Sequence, residues 1–125
     1  EDEMFDPACI GHLAEAIKAH DVGLVVTSTW RLEWPLKKIQ RRLGALGTCL
    51  VGVTPEIDDP FLQFGRYYEV LRHLAQNWPA GKHWIAIDDE PGRYPDQLDN
   101  LVLTDPRVGF SKEDALRLSR WLGQA

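Results

Sequence analysis

The run Trp84-Ile85-Ala86-Ile87 is apolar at every position and stops abruptly in Asp88-Asp89-Glu90. So short a run is too brief for a helix, and it lacks the polar alternation of a strand with one wet face. It fits a strand covered on both faces, as in a parallel sheet. In open parallel sheets the carboxyl ends of the strands border the crevice where ligands bind. Carboxylates delivered to that edge suit Mg²⁺, a hard cation held by one or two carboxylates together with substrate phosphate. Taken alone, the acids read more simply as the start of a solvated loop.

The rest of the chain repeats the pattern. Asp6-Pro7 is a helix start, with Asp6 as cap and Pro7 at the first helical position. Ile10, Leu13, Ala14 and Ile17 then recur at helical spacing, up to about His20. Gly23-Leu24-Val25-Val26-Thr27 reads as a strand and leads into Ser28-Thr29-Trp30-Arg31. Pro35 opens a second helix through about Leu43, closed by Gly44 or Gly47, and Cys49–Val53 is a third apolar run ending in Thr54-Pro55. An irregular acidic loop from Glu56 to Pro60 precedes a helix from about Gly65 to Asn77. Its inner stripe is Tyr68, Leu71, Leu74 and Ala75, and Trp78-Pro79 stops it. After the Ile85 strand and a polar loop, Leu101-Val102-Leu103 is the last strand, ending in Thr104-Asp105. Ser111 with Asp114 three residues on forms a capping box for a final helix through about Leu122. Helices alternating with short apolar strands, joined by connections too long for hairpins, predict a parallel α/β sheet with helices on both faces.

At 125 residues the chain is one domain, long enough for a core without disulfides or metals. The formal net charge of −5, from 19 acids against 14 Lys and Arg, argues against a general nucleic-acid binder. Cys9 and Cys49 have no metal-ligand spacing and read as reduced thiols. No apolar run approaches about 18 residues and Glu1-Asp2-Glu3 is no secretory signal, so the expectation is a cytoplasmic protein off the membrane.

Three of the four strands end in polar residues that could serve one site: Thr27-Ser28-Thr29, Asp88-Asp89-Glu90 and Thr104-Asp105. Hydroxyls and backbone N–H groups there would cradle a phosphate while carboxylates hold a cation. Together, Leu-Val-Val-Thr-Ser-Thr-Trp-Arg (24–31), Thr54-Pro55, Arg-Tyr-Tyr-Glu-Val (66–70) and Trp-Ile-Ala-Ile-Asp-Asp-Glu (84–90) resemble the haloacid dehalogenase (HAD) superfamily. The closer likeness is to its compact domain found alone or in RNA-repair proteins, and it runs from Phe5 through the last helix. The resemblance implies a Rossmann-like three-layer parallel sheet and Mg²⁺-dependent phosphoryl transfer through an aspartyl-phosphate. It also assigns roles. Thr27 would be the phosphate-binding hydroxyl, shared with Ser28, and Arg66 the basic residue that neutralises phosphate and orders the nucleophile. Asp88, with Asp89, would bind the metal, and Thr29 and Arg31 would contact substrate, Arg31 alternatively stabilising the loop.

One departure is decisive. The superfamily's first motif, Asp-x-Asp at the end of an initial apolar strand, has no counterpart here, since only Glu1-Asp2-Glu3-Met4 precedes Phe5. Asp2 has no strand to present it, so the covalent route lacks its attacking carboxylate. The absent strand is the central one, between those ending at Thr27 and Ile87. Strands sit about 4.7–4.9 Å apart, so its absence predicts a gap of roughly 10 Å flanked by unpaired backbone. Either these residues are part of a longer enzyme, the preferred reading, or a separate peptide, a neighbouring chain or an altered strand order fills the slot.

Plainer readings stand beside several assignments. Arg66 could pair with Glu69 on its own helix. Lys37, Lys38, Arg41 and Arg42 read as a solvated helix face before they read as a contact for RNA or nucleotide. Trp30, Trp34, Trp78, Trp84 and Trp121 read as packing, and Asp105 either reaches the metal indirectly or turns the chain before Pro106. The sequence therefore predicts a HAD-type phosphatase domain acting on a phosphorylated substrate of open class, its nucleophile lying outside these residues. The rival reading is a non-catalytic phosphate-binding or protein-interaction module on the same fold.

Overall fold

Asp6 caps the first helix, α1 (Pro7–Ile17), by accepting a 2.9 Å hydrogen bond from Ala8 N–H. The computed structural model describes residues 6–27, 30–59, 61–77 and 83–123. Along it follow β1 (Leu24–Val26), a short helical turn α2 (Trp30–Glu33), α3 (Leu36–Arg42) and a 3-10 helix (Gly44–Cys49). Next come β2 (Leu50–Val53), α4 (Gly65–Asn77), β3 (Ala86–Asp88), a 3-10 turn (Pro91–Arg93), β4 (Leu101–Leu103) and α5 (Lys112–Gly123). Helix α1 ends three residues before His20, and α2 was not anticipated. The region closing α3 is tighter than a simple stop. Gly44 takes φ +58°, and Gly47 lies so close to α3 that a Cβ there would stand 2.5 Å from the Gln40 carbonyl oxygen. The proposed stop at Trp78-Pro79 lies outside the described residues.

All strand pairing is parallel, and it comes in two separate pairs. β1 lies beside β2 (Val25 opposite Gly52, Val26 opposite Val53), and β3 beside β4 (Ala86 opposite Leu101, Asp88 opposite Leu103). Among the described residues no hydrogen-bonded ladder joins the pairs, so the parallel strands form two ribbons, in keeping with a sheet that lacks its central strand. β1 and β3 are not paired with each other. Leu24, Val25 and Val26 are only half-buried although all are apolar, the condition of a strand with an uncovered flank.

One core nevertheless serves both ribbons. Ile10, Ala16 and Ile17 of α1, Leu46, Phe110 and Leu118 of α5 form its buried centre, and Leu24 from β1 packs against it with Ile85 and Ile87 from the β3 segment. Because strand side chains alternate, Trp84 and Asp88 point the other way, toward α4, where Tyr67 stacks near Trp84 and Arg66 meets Asp88. On the inner stripe of α4 the structure corrects the sequence reading. Tyr68 is 43% exposed, whereas Glu69 is the buried residue of that helix. Glu69 goes inward because cations wait there for it.

The capping box of α5 forms as expected. Ser111 N–H and Oγ donate to Asp114 Oδ2 at 2.9 and 3.0 Å, Asp114 N–H returns a bond to Ser111 Oγ, and Arg117 pairs with the other carboxylate oxygen. Burial pushes the Asp114 carboxyl up, but the bonds from Ser111 and Arg117 outweigh it and hold it below the usual aspartate range. A carboxyl lowered by folding stabilises fully above its unfolded value, about 3.9, and loses that contribution as pH falls through the folded value. Acid titration of stability below about pH 4 should accordingly be shallower in Asp114→Asn than in the parent. In the core, Leu118 is 2% exposed and Leu116 on the same helix is 55% exposed. Leu118→Ala should cost about 2–5 kcal/mol in urea denaturation and Leu116→Ala no more than about 0.5 kcal/mol.

Candidate functional site

The carboxyl ends of the strands present Thr27, Thr54, Asp88 and Thr104. The first two are neighbours: Thr54 N–H donates to the Val26 carbonyl at 3.0 Å, and the Thr54 and Thr27 hydroxyls lie 3.0 Å apart. Thr54 is buried, so its hydroxyl supports that of Thr27, which remains half-exposed at the strand end. On the other ribbon, Thr104 N–H donates to the Asp88 carbonyl at 2.9 Å.

A chain of four alternating charges spans the two ribbons. Arg31 donates from Nε to the Thr54 carbonyl and from Nη1 to the Thr27 carbonyl, both at 2.9 Å, and from Nη2 to the Pro55 carbonyl at 3.3 Å. Its Nη2 also lies 2.9 Å from Glu69 Oε1, whose other oxygen accepts from Ile57 N–H at 2.9 Å. Arg66 sits 3.7 Å from Glu69 through Nε and 3.3 Å from Asp88 Oδ2 through Nη1. All four side chains are 10% exposed or less. At 3.7 Å the Arg66–Glu69 contact is an ion pair without a hydrogen bond, so both readings of Arg66 describe part of its environment.

Asp88 is held on every side. Oδ1 accepts from Asp89 N–H at 2.8 Å and Glu90 N–H at 3.1 Å, while Oδ2 accepts from Arg66 and, at 3.2 Å, from the Tyr94 hydroxyl. Tyr94 is 1% exposed, and burial together with the Asp88 charge raises its phenol far above the usual tyrosine range, so it stays a donor. Burial, then the nearby Arg93 charge, lowers Arg66, against the opposing pull of Asp88. Asp89 is exposed beside this pair, and the two carboxylates are oxygen donors of the hard type that Mg²⁺ takes. Among the described residues no group of three or more His, Cys, Asp or Glu side chains converges as a metal site would require.

The other predicted residues fall as follows. Ser28 and Thr29 lie outside the described residues. The Arg31 side chain is 3% exposed and bound to three carbonyls and a carboxylate, which is the loop-stabilising alternative. Asp105 turns back on its own loop: its carboxylate accepts from the Arg107 backbone N–H at 2.9 Å and from that residue's guanidinium. Cys9 and Cys49 are free, half-buried thiols. Sequence reasoning missed Thr54 as a partner of Thr27, Glu69 as the hub of the ion-pair chain, and Tyr94. Glu69 carries a signal, three residues after Arg66, but that spacing equally fits a surface pair; Tyr94 in a polar loop carries none.

Parallel strands of a mixed helix and strand domain, ending in a hydroxyl pair on one side and an arginine-bound aspartate on the other, are compatible with a HAD-like domain. The family model described as the HAD domain in Swiss Army Knife RNA repair proteins matches residues 1–115, and the chain belongs to that family. No curated protein and no solved structure matches it. No helix among the described residues is long and apolar enough to cross a membrane.

Removing one member of a buried ion-pair chain leaves its partner charged and dry. Glu69→Ala should therefore destabilise the fold by about 3–5 kcal/mol in chemical denaturation, by stranding Arg31 and releasing Ile57. Asp89→Ala, at an exposed carboxylate, should shift stability by no more than about 0.5 kcal/mol.

Proposed function

We propose that this domain carries out Mg²⁺-dependent hydrolysis of phosphate monoesters, with the attacking aspartate supplied by a segment outside these 125 residues. The observation that carries this reading is the buried run Arg31–Glu69–Arg66–Asp88, which links the Thr27 backbone carbonyl at the end of β1, through Arg31, to the carboxylate at the end of β3. In this reading an apolar strand enters between β1 and β3, pairs with both free edges and completes a three-layer parallel sheet. Its terminal carboxylate then comes level with Thr27 and Asp88.

The chemistry follows from those positions. The incoming carboxylate oxygen attacks phosphorus, the phosphorus–oxygen bond to the leaving group breaks, and the leaving oxygen takes up a proton. Water then cleaves the acyl-phosphate and releases inorganic phosphate. Thr27 donates its hydroxyl to a phosphoryl oxygen while Thr54 steadies it, and Arg66 balances the negative charge on phosphate and nucleophile. Mg²⁺ on Asp88 and Asp89 would neutralise the remaining phosphoryl charge. Tyr94 and the Asp89 and Glu90 N–H groups fix the orientation of Asp88. The unbridged thiols suit a reducing, cytoplasmic setting, and the RNA-repair description of the family makes a phosphorylated polynucleotide end the first substrate to try.

In the complete protein, Asp88→Asn should abolish Mg²⁺-dependent phosphate release, falling at least about 100-fold, as loss of a preorganised charge does in other sites. Unchanged turnover would remove Asp88 from the chemistry. A second reading has its own observation: both oxygens of Asp88 are already taken by protein donors. That state suits a phosphate-binding module without turnover, for which phosphate esters would raise the melting temperature while no phosphate is released.

A further inference from the structure

Beside the buried charge run lies a cavity of about 370 Å³, lined by neither Thr27 nor Asp88. Its walls come from α2, the loop after β2, the first turn of α4 and the 3-10 turn at Pro91–Arg93. The volume falls within the span of about 300–1,000 Å³ that small organic ligands occupy, in sites that join an apolar lining to a few converging polar groups. Both parts are present. Leu32, Ile57, Leu62 and Phe64 supply the apolar one.

Arg66 and Arg93 supply the polar part, and each keeps a donor in reserve. Arg66 uses Nη1 on Asp88 and meets Glu69 through Nε only at 3.7 Å, while Arg93 uses Nε and Nη2 on Glu90. Among the described residues, Arg66 Nη2 and Arg93 Nη1 have no hydrogen-bond partner. Because the Arg66 side chain is only 8% exposed and lines the cavity, its unused donor meets little bulk water. Burial first, and then the Arg93 charge, lowers Arg66, as expected of two guanidinium groups set close together. The lining holds three arginines, Arg31 among them, against Glu56 and Glu69, which leaves one positive charge in excess. The N-terminal end of α4, a helix of 13 residues, adds its partial positive charge at Gly65 and Arg66. The backbone is also strained here. Phe64 takes φ +59°, a left-handed conformation rare for a bulky residue, and such outliers gather at ligand clamps.

We propose that this cavity is a binding site for a compact organic monoanion, a single aromatic ring or branched aliphatic body carrying one carboxylate that takes the unused donors of Arg66 and Arg93. Guanidinium groups hold carboxylates through charge-assisted hydrogen bonds, and the four apolar side chains cover the body of the ligand. One negative charge balances the excess of the lining, whereas a phosphate dianion would leave a charge over. The site shares Arg66 with the phosphatase reading but needs neither the Thr27 hydroxyl nor turnover.

The test is isothermal titration calorimetry with phenylacetate as the probe, beside phenylacetamide, its uncharged isostere, and acetate, which lacks the apolar body. Phenylacetate should bind with a Kd of about 1 mM or tighter, and the other two at least about tenfold more weakly. These contrasts are read on the parent protein and do not depend on the folding of any variant. Two variants then locate the ligand. Arg93→Gln removes a charged donor, and Gly92→Phe sets a ring against the cavity from a position where a Cβ meets nothing within 4 Å. Each should lose about tenfold in affinity for phenylacetate, while Thr27→Val should bind it as the parent does. No binding by the parent, equal affinity for phenylacetamide or acetate, or a loss in Thr27→Val with none in Arg93→Gln and Gly92→Phe would each overturn the proposal.

Discussion

The buried run Arg31–Glu69–Arg66–Asp88 is the constraint on which the rest of this molecule depends. Each of its charges leaves water only because the next one is there, and Arg31 fills its remaining donors with the Thr27, Thr54 and Pro55 carbonyls. Such a run adds little net stability over apolar packing, since desolvation consumes most of the attraction. What it contributes is position. The two strand ribbons share no ladder among the described residues, so their carboxyl ends are brought into relation by α2, α4 and β3 through these side chains.

That division of labour explains a domain with a split sheet and a formed edge. On one side, α1, α5 and Phe110 gather Leu24, Ile85 and Ile87 into a single core, an arrangement that needs only apolar area and tolerates a gap between strands. On the other, α4 crosses both ribbons, its His73 against Gly52 of β2 and its Arg66 on Asp88 of β3. Membership of the HAD family from RNA-repair proteins is consistent with an edge of this composition.

Charge acts on this chain at two scales. In the interior, acids and arginines alternate one for one from Arg31 to Asp88. Along the sequence they are sorted instead, with four cations on α3 and no acid from Trp34 to Pro55. A net charge summed over the whole chain describes neither arrangement.

The sequence by itself determined every strand and the four longer helices. Short non-alternating apolar runs between turn signals read as strands, Asp6-Pro7 and Ser111-Asp114 are local caps, and these signals act over a few residues. The places of Thr27 and Asp88 at strand ends and of Arg66 in the first turn of a helix were legible because they too are local facts. Tertiary structure alone decided that Glu69 turns inward while Tyr68 faces solvent, that Tyr94 closes over Asp88, and that Arg31 is spent on carbonyls. It also decided that the strands assemble as two pairs. These outcomes depend on which groups meet across tens of residues of chain, where burial of a charge is settled by its partner and not by its neighbours in sequence.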